Sequence, residues 1–292
     1  MKPKVSVVRS DGHYDGVSKA LSLIEDQVKE SLKGRRQVLI KPNFVSTRRQ
    51  LAATHVDAAR AVLDTLTKYY SGRLIIGEGP ASSSLKEGLV NFGYLELRDE
   101  YGVEFVDLNE DDYIEVEGFD SNLRPLRFRL SKTAVESDYR VSLAIPKTHN
   151  TVIVTLTIKN MVVGSLVDHD KSKVHQGYKG INLNIAKLAR YVMPNLGVVD
   201  GYVGMEGGGP VSGDPVDLRV AAASLHPISL DAVMTKIMGF DPSEIGYLYH
   251  LNRWGFGAIN LDEVEVLGVP VGEVMRRFRP HPNYSEMLRW RL

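Results

Sequence analysis

The stretch QVLIKPN, residues 37–43, is followed by an amphipathic run from about Val56 to Tyr70 and then by RLIIGEGP, residues 73–80. The two ends are short β-branched and aliphatic runs of strand length, and the run between them has helical periodicity, so the three read as one β-α-β unit. Parallel strands require such a crossover, whereas a tight turn serves only an antiparallel pair. The alternation extends both ways. VSVV (5–8) and a helix from about Val17 to Leu32 precede the unit. A helical piece around 85–101, VEFVDL (103–108), YRVSLAIP (139–146), a helix from about Asn182 to Tyr191, LGVVD (196–200), LRVAAAS (218–224), a helix from Ser229 to Met238 and VEVLG (264–268) follow it. This order predicts an α/β fold: a mainly parallel twisted sheet with helices on both faces. IEVEG and LRFRL, around the turn DSNLRP, predict a small antiparallel β-hairpin excursion near 112–131. With no repeat, low-complexity block or long linker, one domain over 1–292 is expected.

The segment TVIVTLTIKNMVVG, residues 151–164, carries two signals. Its β-branched residues favour a strand. Thr151, Thr155 and Lys159 recur at intervals of four, which on a helix puts them on one face with Asn160 beside them, and a helix is expected.

Composition narrows the function classes. The chain has 292 residues, with Lys plus Arg and Asp plus Glu equal at 36 each, so its charge gives no reason to expect nucleic acid or another polyanion. The absence of cysteine excludes disulfides, a thiol nucleophile, thiolate zinc and an iron–sulfur cluster on this chain's own thiolates, and leaves a divalent metal to His, Asp, Glu or carbonyl ligands. No signal peptide or membrane-length apolar run is evident, so a cytoplasmic protein without membrane contact is expected. The tail 275–292 is basic and aromatic. Its Phe278, Tyr284 and Trp290 are expected to dock on the body or on a second subunit, the route to a homo-oligomer.

In an open parallel sheet, ligands bind beyond the carboxyl ends of the strands, where loops and helix N-termini converge. Those ends are where polar residues gather: Lys41 and Asn43; Gly77, Glu78 and Gly79; Lys147, Thr148 and His149; and DGYVGMEGGGPVSGDP (200–215), which carries Asp200, Glu206, Gly207, Gly208 and Gly209. With Thr155, Lys159 and Asn160 they form the candidate site for a small anionic ligand. The lysines would hold the anion, Lys147, His149 and Glu206 would move protons, and the glycines, above all Gly208 and Gly209, would supply φ > 0 and close approach. Ser84 and Glu87 fit a capping box, so a helix N-terminus is expected after the Gly77–Pro80 turn. Ser229 fits a helix cap, with Asp231 structural near the same N-terminus. In VDHDKSKVHQGYKG, Asp168, His169 and His175 are residue types for a divalent metal, but their spacing matches neither a helix face nor a zinc signature. That loop reads as a solvated segment or a lid whose lysines close on an anion.

These residues resemble the family catalogued as domain of unknown function 362. The matching features are Lys41-Pro42-Asn43, the turn Gly77-Glu78-Gly79-Pro80, Pro146-Lys147-Thr148-His149 followed by Thr155, Lys159-Asn160 and Gly164, Asp200-Gly201, and Met205-Glu206-Gly207 running to Gly209-Pro210, Gly213 and Pro215. The resemblance implies that these positions form one site without naming a reaction. Some family members carry cysteine motifs labelled as iron–sulfur centres, and this chain has none. A more distant resemblance, to nickel-pincer racemases of the lactate racemase type, has no residue-by-residue match. Two functions follow: an enzyme or enzyme-like binder of a small anionic metabolite, or a non-catalytic carrier of a cofactor or metal, or adaptor for an iron–sulfur redox partner.

Overall fold

The computed structural model describes residues 2–292. The strands are β1 (Lys4–Arg9), β2 (Gln37–Lys41), β3 (Arg73–Glu78), β4 (Glu104–Asp107), β5 (Tyr113–Phe119), β6 (Pro125–Ser131), β7 (Tyr139–Ala144), β8 (Lys147–His149), β9 (Ile153–Thr155), β10 (Leu196–Glu206), β11 (Asp214–Ser224) and β12 (Glu265–Gly268). The main sheet has the order β12-β1-β11-β10-β7-β2-β3-β4. Every neighbouring pair is parallel except β11 with its two partners β1 and β10. β5 and β6 form the separate two-stranded antiparallel sheet expected from the turn at 120–124.

Alternation along the strands divides the core into two layers. Val38, Ile40, Leu74, Ile76, Val141 and Leu143 face the helices α1 (His13–Ser22), α2 (Glu25–Leu32), α3 (Val56–Thr67), α4 (Leu85–Asn91) and α5 (Glu96–Tyr101). Leu39, Ile75 and Val199 face the other layer. There the chain adds α6 (Lys132–Glu136), α7 (Thr157–Gly164), α8 (Asp170–Lys173), α9 (Gly177–Val192), α10 (Pro227–Ile237) and α11 (Gly246–Arg253), of which α7, α9, α10 and α11 supply much of the core. The α/β class and the helices on both faces are as the sequence predicts.

Several boundaries differ from expectation. The helix expected over 17–32 begins at His13 and breaks near Leu23 into α1 and α2. That expected over 85–101 breaks into α4 and α5 where Gly93 adopts φ +74°. The segment 151–164 is a hairpin strand followed by a helix, so Thr151 and Thr155 do not lie on a helical face with Lys159. The β-branched residues prevail over the first half because β8 offers β9 a pairing partner. In the tail, Phe278 and Trp290 are buried against the chain's own body, and the Trp290 indole N–H donates to the Glu244 carbonyl at 2.8 Å.

Asp231 is fully buried in α10, yet it caps a different helix. Its carboxylate accepts from the backbone N–H groups of Thr157 and Ile158, each at 3.0 Å, and from the Thr157 hydroxyl, fixing the first turn of α7. Ser229 caps nothing: its hydroxyl donates to the Ala258 carbonyl at 2.9 Å. Asp231→Ala strands two buried N–H groups, each worth about 1–3 kcal/mol. We expect urea unfolding to show a loss of about 2–5 kcal/mol on that basis; a loss below about 1 kcal/mol would mean that α7 does not depend on this cap.

Candidate functional site

The carboxyl ends of β2 and β3 deliver an ion pair into the interior. Lys41, fully buried, donates through Nζ to the Glu78 carboxylate, to Asn160 Oδ1 at 3.0 Å and to the Pro42 carbonyl at 3.1 Å. Burial raises Glu78 and lowers Lys41, and their mutual contact opposes both shifts. Gly164 makes this arrangement possible, because a Cβ there would lie 2.1 Å from Lys41 Cε and 2.2 Å from Nζ.

The β8–β9 hairpin forms the second wall. Lys147 stands opposite Thr155, Thr148 opposite Val154, and His149 opposite Ile153. Alternation therefore puts Lys147, His149 and Thr155 on one face and Thr148 on the other, where its hydroxyl donates to the Gly207 carbonyl at 3.1 Å. Ile153 holds φ +71°, a conformation that costs a β-branched residue about 1–3 kcal/mol. That strain lies beside the site. Lys147 donates to Asn43 Oδ1 and to the Ala52 carbonyl at 3.2 Å, and burial, then the charge of Lys159, holds its amine well below the ordinary lysine range.

His149 is neutral by two arguments. Burial, followed by the charge of Lys159, lowers it well below the usual imidazole range. Its Nδ1 also accepts the Thr151 backbone N–H at 3.1 Å, which leaves the proton on Nε2.

The first turn of α7 completes the site. Asn160 is a four-way staple: Oδ1 accepts from Lys41 and from Asn43 Nδ2 at 3.0 Å, while Nδ2 donates to the Lys41 carbonyl at 3.2 Å and the Ser142 hydroxyl at 3.1 Å. Lys159 is buried, and burial, aided by the charge of Lys41, brings its amine down to about 7. The Thr155 hydroxyl is buried and has no hydrogen-bond partner among the described residues.

A cavity of about 310 Å³ lies between these elements. Lys41, Asn43, Glu78, Gly79, His149, Thr155, Lys159 and Asn160 line it, with Phe44, Val45 and Val163 as apolar wall. Sequence reasoning missed Lys171, which lines the cavity and which burial brings down to about 8, except that it lies on the charged loop read as a lid. Its amine bonds Asn109 Oδ1 and the Leu166 carbonyl, and Gly79 leaves it room.

The remaining expected residues lie elsewhere. Gly77 packs against Leu39 and Leu108. The Glu206 carboxylate accepts the Arg279 backbone N–H at 2.9 Å and is not in the cavity wall. The glycine-rich stretch reaches the cavity through Pro210 and Val211. Positive φ falls on Gly207 at +70°, not on Gly208 or Gly209, although close approach does hold at Gly209, where a Cβ would lie 2.1 Å from the Thr148 carbonyl oxygen. Asp200 is on the opposite sheet face, bonded to His13 Nδ1 at 2.6 Å, and His13 in turn stacks on His55 with centroids 4.2 Å apart. Ser84 caps α4 as expected, but the Leu85 N–H is taken by Asp107. Asp168 and His169 pair with each other in solvent, while His175 reaches the cavity wall. Among the described residues no three His, Cys, Asp or Glu side chains come together as a metal site would need, and no helix is long and apolar enough to cross a membrane.

The Gly164 contact is testable. Gly164→Ala should destabilise by about 1–3 kcal/mol in denaturant unfolding, whereas Gly272→Ala, at a helix position with open space around it, should leave stability unchanged or raise it by up to about 1 kcal/mol. Equal effects would mean that Lys41 can move aside freely.

Comparison with known proteins places this site in context. A solved structure of the lactate racemase apoprotein from Thermoanaerobacterium thermosaccharolyticum superposes with a TM-score of 0.53 at 15% identity, over 77% of this chain and 55% of that one. The likeness is one of fold, and this chain spans little more than half of that protein. A protein described as thylakoid-associated, from Synechocystis sp., is 27% identical over 264 residues, 87% of this chain and 80% of its own length. The model of the family described as "Domain of unknown function (DUF362)" matches residues 38–236, a span that contains every lysine of the site, so the chain belongs to that family.

Proposed function

We propose that the cavity binds a small anionic metabolite, bearing a carboxylate or a phosphate, and that the protein acts on it as an enzyme or enzyme-like binder at the C-terminal edge of its sheet. The observation that carries this reading is Lys159: its side chain is 8% exposed, its amine has no hydrogen-bond or ion-pair partner among the described residues, and it lines the cavity together with Thr155, whose hydroxyl is buried without a partner. Burying polar groups without partners is costly, and a fold that does so beside a cavity has left them for a ligand. An anion supplies the missing countercharge. Lys41 adds to the positive field, Glu78 offsets part of it, and His149 offers its Nε2–H. In its neutral form Lys159 is a base near physiological pH.

The sign of the pH dependence follows. An anion favours the charged amine, so binding takes up a proton once the pH exceeds about 7, and affinity is highest below that value. Above it, affinity falls by up to about tenfold per pH unit. Stability runs the other way: the desolvation cost of Lys159 is fully present below pH about 7 and fades as the pH rises toward the ordinary lysine value. Calorimetry with small mono- and dicarboxylates and phosphate monoesters is expected to find a binder with this profile. Lys159→Met should weaken it roughly 10- to 100-fold while raising Tm, most strongly at low pH. Affinity that is flat across neutral pH, or a Lys159→Met protein that melts earlier than wild type, would contradict the reading.

A further inference from the structure

A cavity that only captured an anion would be best served by amines already charged, and Lys41 is placed for that, held between Glu78 and Asn160. Lys159 is built differently. It projects from the first turn of a helix whose N-terminus is already occupied by Asp231, so no helix-terminal charge is left for a ligand there. Among the described residues no carboxylate or carbonyl holds its amine. Val163, Val45 and Phe44 line the same cavity as apolar wall. An unpaired, largely buried amine beside another cation is the environment in which a lysine becomes a nucleophile toward carbonyl carbon. Two residues with a free hydrogen-bond donor line the same cavity: Thr155, whose hydroxyl is buried without a partner among the described residues, and His149, whose Nδ1 accepts the Thr151 N–H and so leaves the proton on Nε2.

We infer that Lys159 forms a Schiff base with a small aldehyde or ketone that carries an anionic group. The inference rests on the anion-binding reading above and names the substrate class for that site. The neutral Nζ attacks the carbonyl carbon, forming the N–C bond, and the carbonyl π electrons move to oxygen; the nitrogen, now cationic, gives up one of its protons and the oxygen takes one up, which gives the neutral carbinolamine. Thr155 and His149 hydrogen-bond this oxygen as it gains charge. The C–O bond then breaks, the oxygen leaves with a second proton as water, and the nitrogen lone pair closes the C=N bond. The balance is amine, carbonyl and one proton in, iminium and water out, with no oxidant or reductant. The resulting iminium carries a fixed positive charge, and Glu78 is the carboxylate in the cavity wall. The cavity volume of about 310 Å³ restricts the substrate to a small molecule.

The test uses the full chain with glyoxylate and pyruvate as anionic carbonyl probes and acetaldehyde as the uncharged one, followed by sodium borohydride and peptide mass spectrometry. The expected result is one reduced adduct per chain at Lys159 with an anionic probe, formed at least tenfold faster than with acetaldehyde, absent from Lys159→Met and slowed in Thr155→Val. Calorimetry of the same probes separates the two claims. Binding of glyoxylate or pyruvate without a Lys159 adduct overturns the Schiff base and leaves the anion site standing. Adducts spread over surface lysines at the same rate in wild type and Lys159→Met overturn it as well. Failure of these probes and of the carboxylates and phosphates to bind would remove both.

Discussion

Three buried lysines, Lys41, Lys147 and Lys159, sit close together: Lys41 and Lys159 line one cavity, Lys147 lies outside its wall and bonds Asn43, and Glu78 is the carboxylate among the lining residues. That constraint organises the rest of the site. Taking an ammonium group out of water is expensive, and a protein tolerates it through a partner, through loss of the proton, or through a ligand. All three solutions occur within a few residues. Lys41 has its carboxylate. Lys147 is satisfied by neutral acceptors, Asn43 and the Ala52 carbonyl, and is pushed toward the amine form. Lys159 has neither and is left for whatever enters.

The fold makes such an arrangement affordable by fixing the backbone from several directions. Parallel strands β2, β3 and β7 end together, so their following residues converge without any one loop having to be long. Asn160 ties α7 to β2 and β7, Asp231 ties α7 to α10, and β8 joins the hairpin to β10. Glycine appears where side chains must pass: Gly164 beneath Lys41 and Gly79 beside Lys171. The same architecture leaves a second polar group, His13 with Asp200 and His55, at the opposite face of the sheet.

Much of this was legible in the sequence because strand periodicity and the rule for parallel sheets are local and geometric. The alternation of QVLIK and RLIIG located the sheet, and looking just past each strand end found Lys41, Glu78 and His149 of the cavity wall, with Lys147 outside it, bonded to Asn43. What escaped depends on pairing at a distance. Thr151 and Thr155 were spaced for a helix, but β8 captured them into a hairpin. Glu206 follows its strand as the others do, yet β10 continues past the parallel ladder into a long antiparallel pairing with β11, which carries that carboxylate toward Arg279. Asp231 was read as serving its own helix because no sequence pattern says whose N-terminus a buried carboxylate will meet.

The central claim is that Lys159 is an unpaired, desolvated amine poised near neutrality. It is tested most directly by selective 13Cε labelling of lysine and NMR titration, with the resonance assigned by its loss in Lys159→Met. The expected result is a lysine that titrates near pH 7 and whose apparent pKa rises when an anion is bound. A Lys159 resonance that stays protonated until the pH of ordinary surface lysines would contradict it.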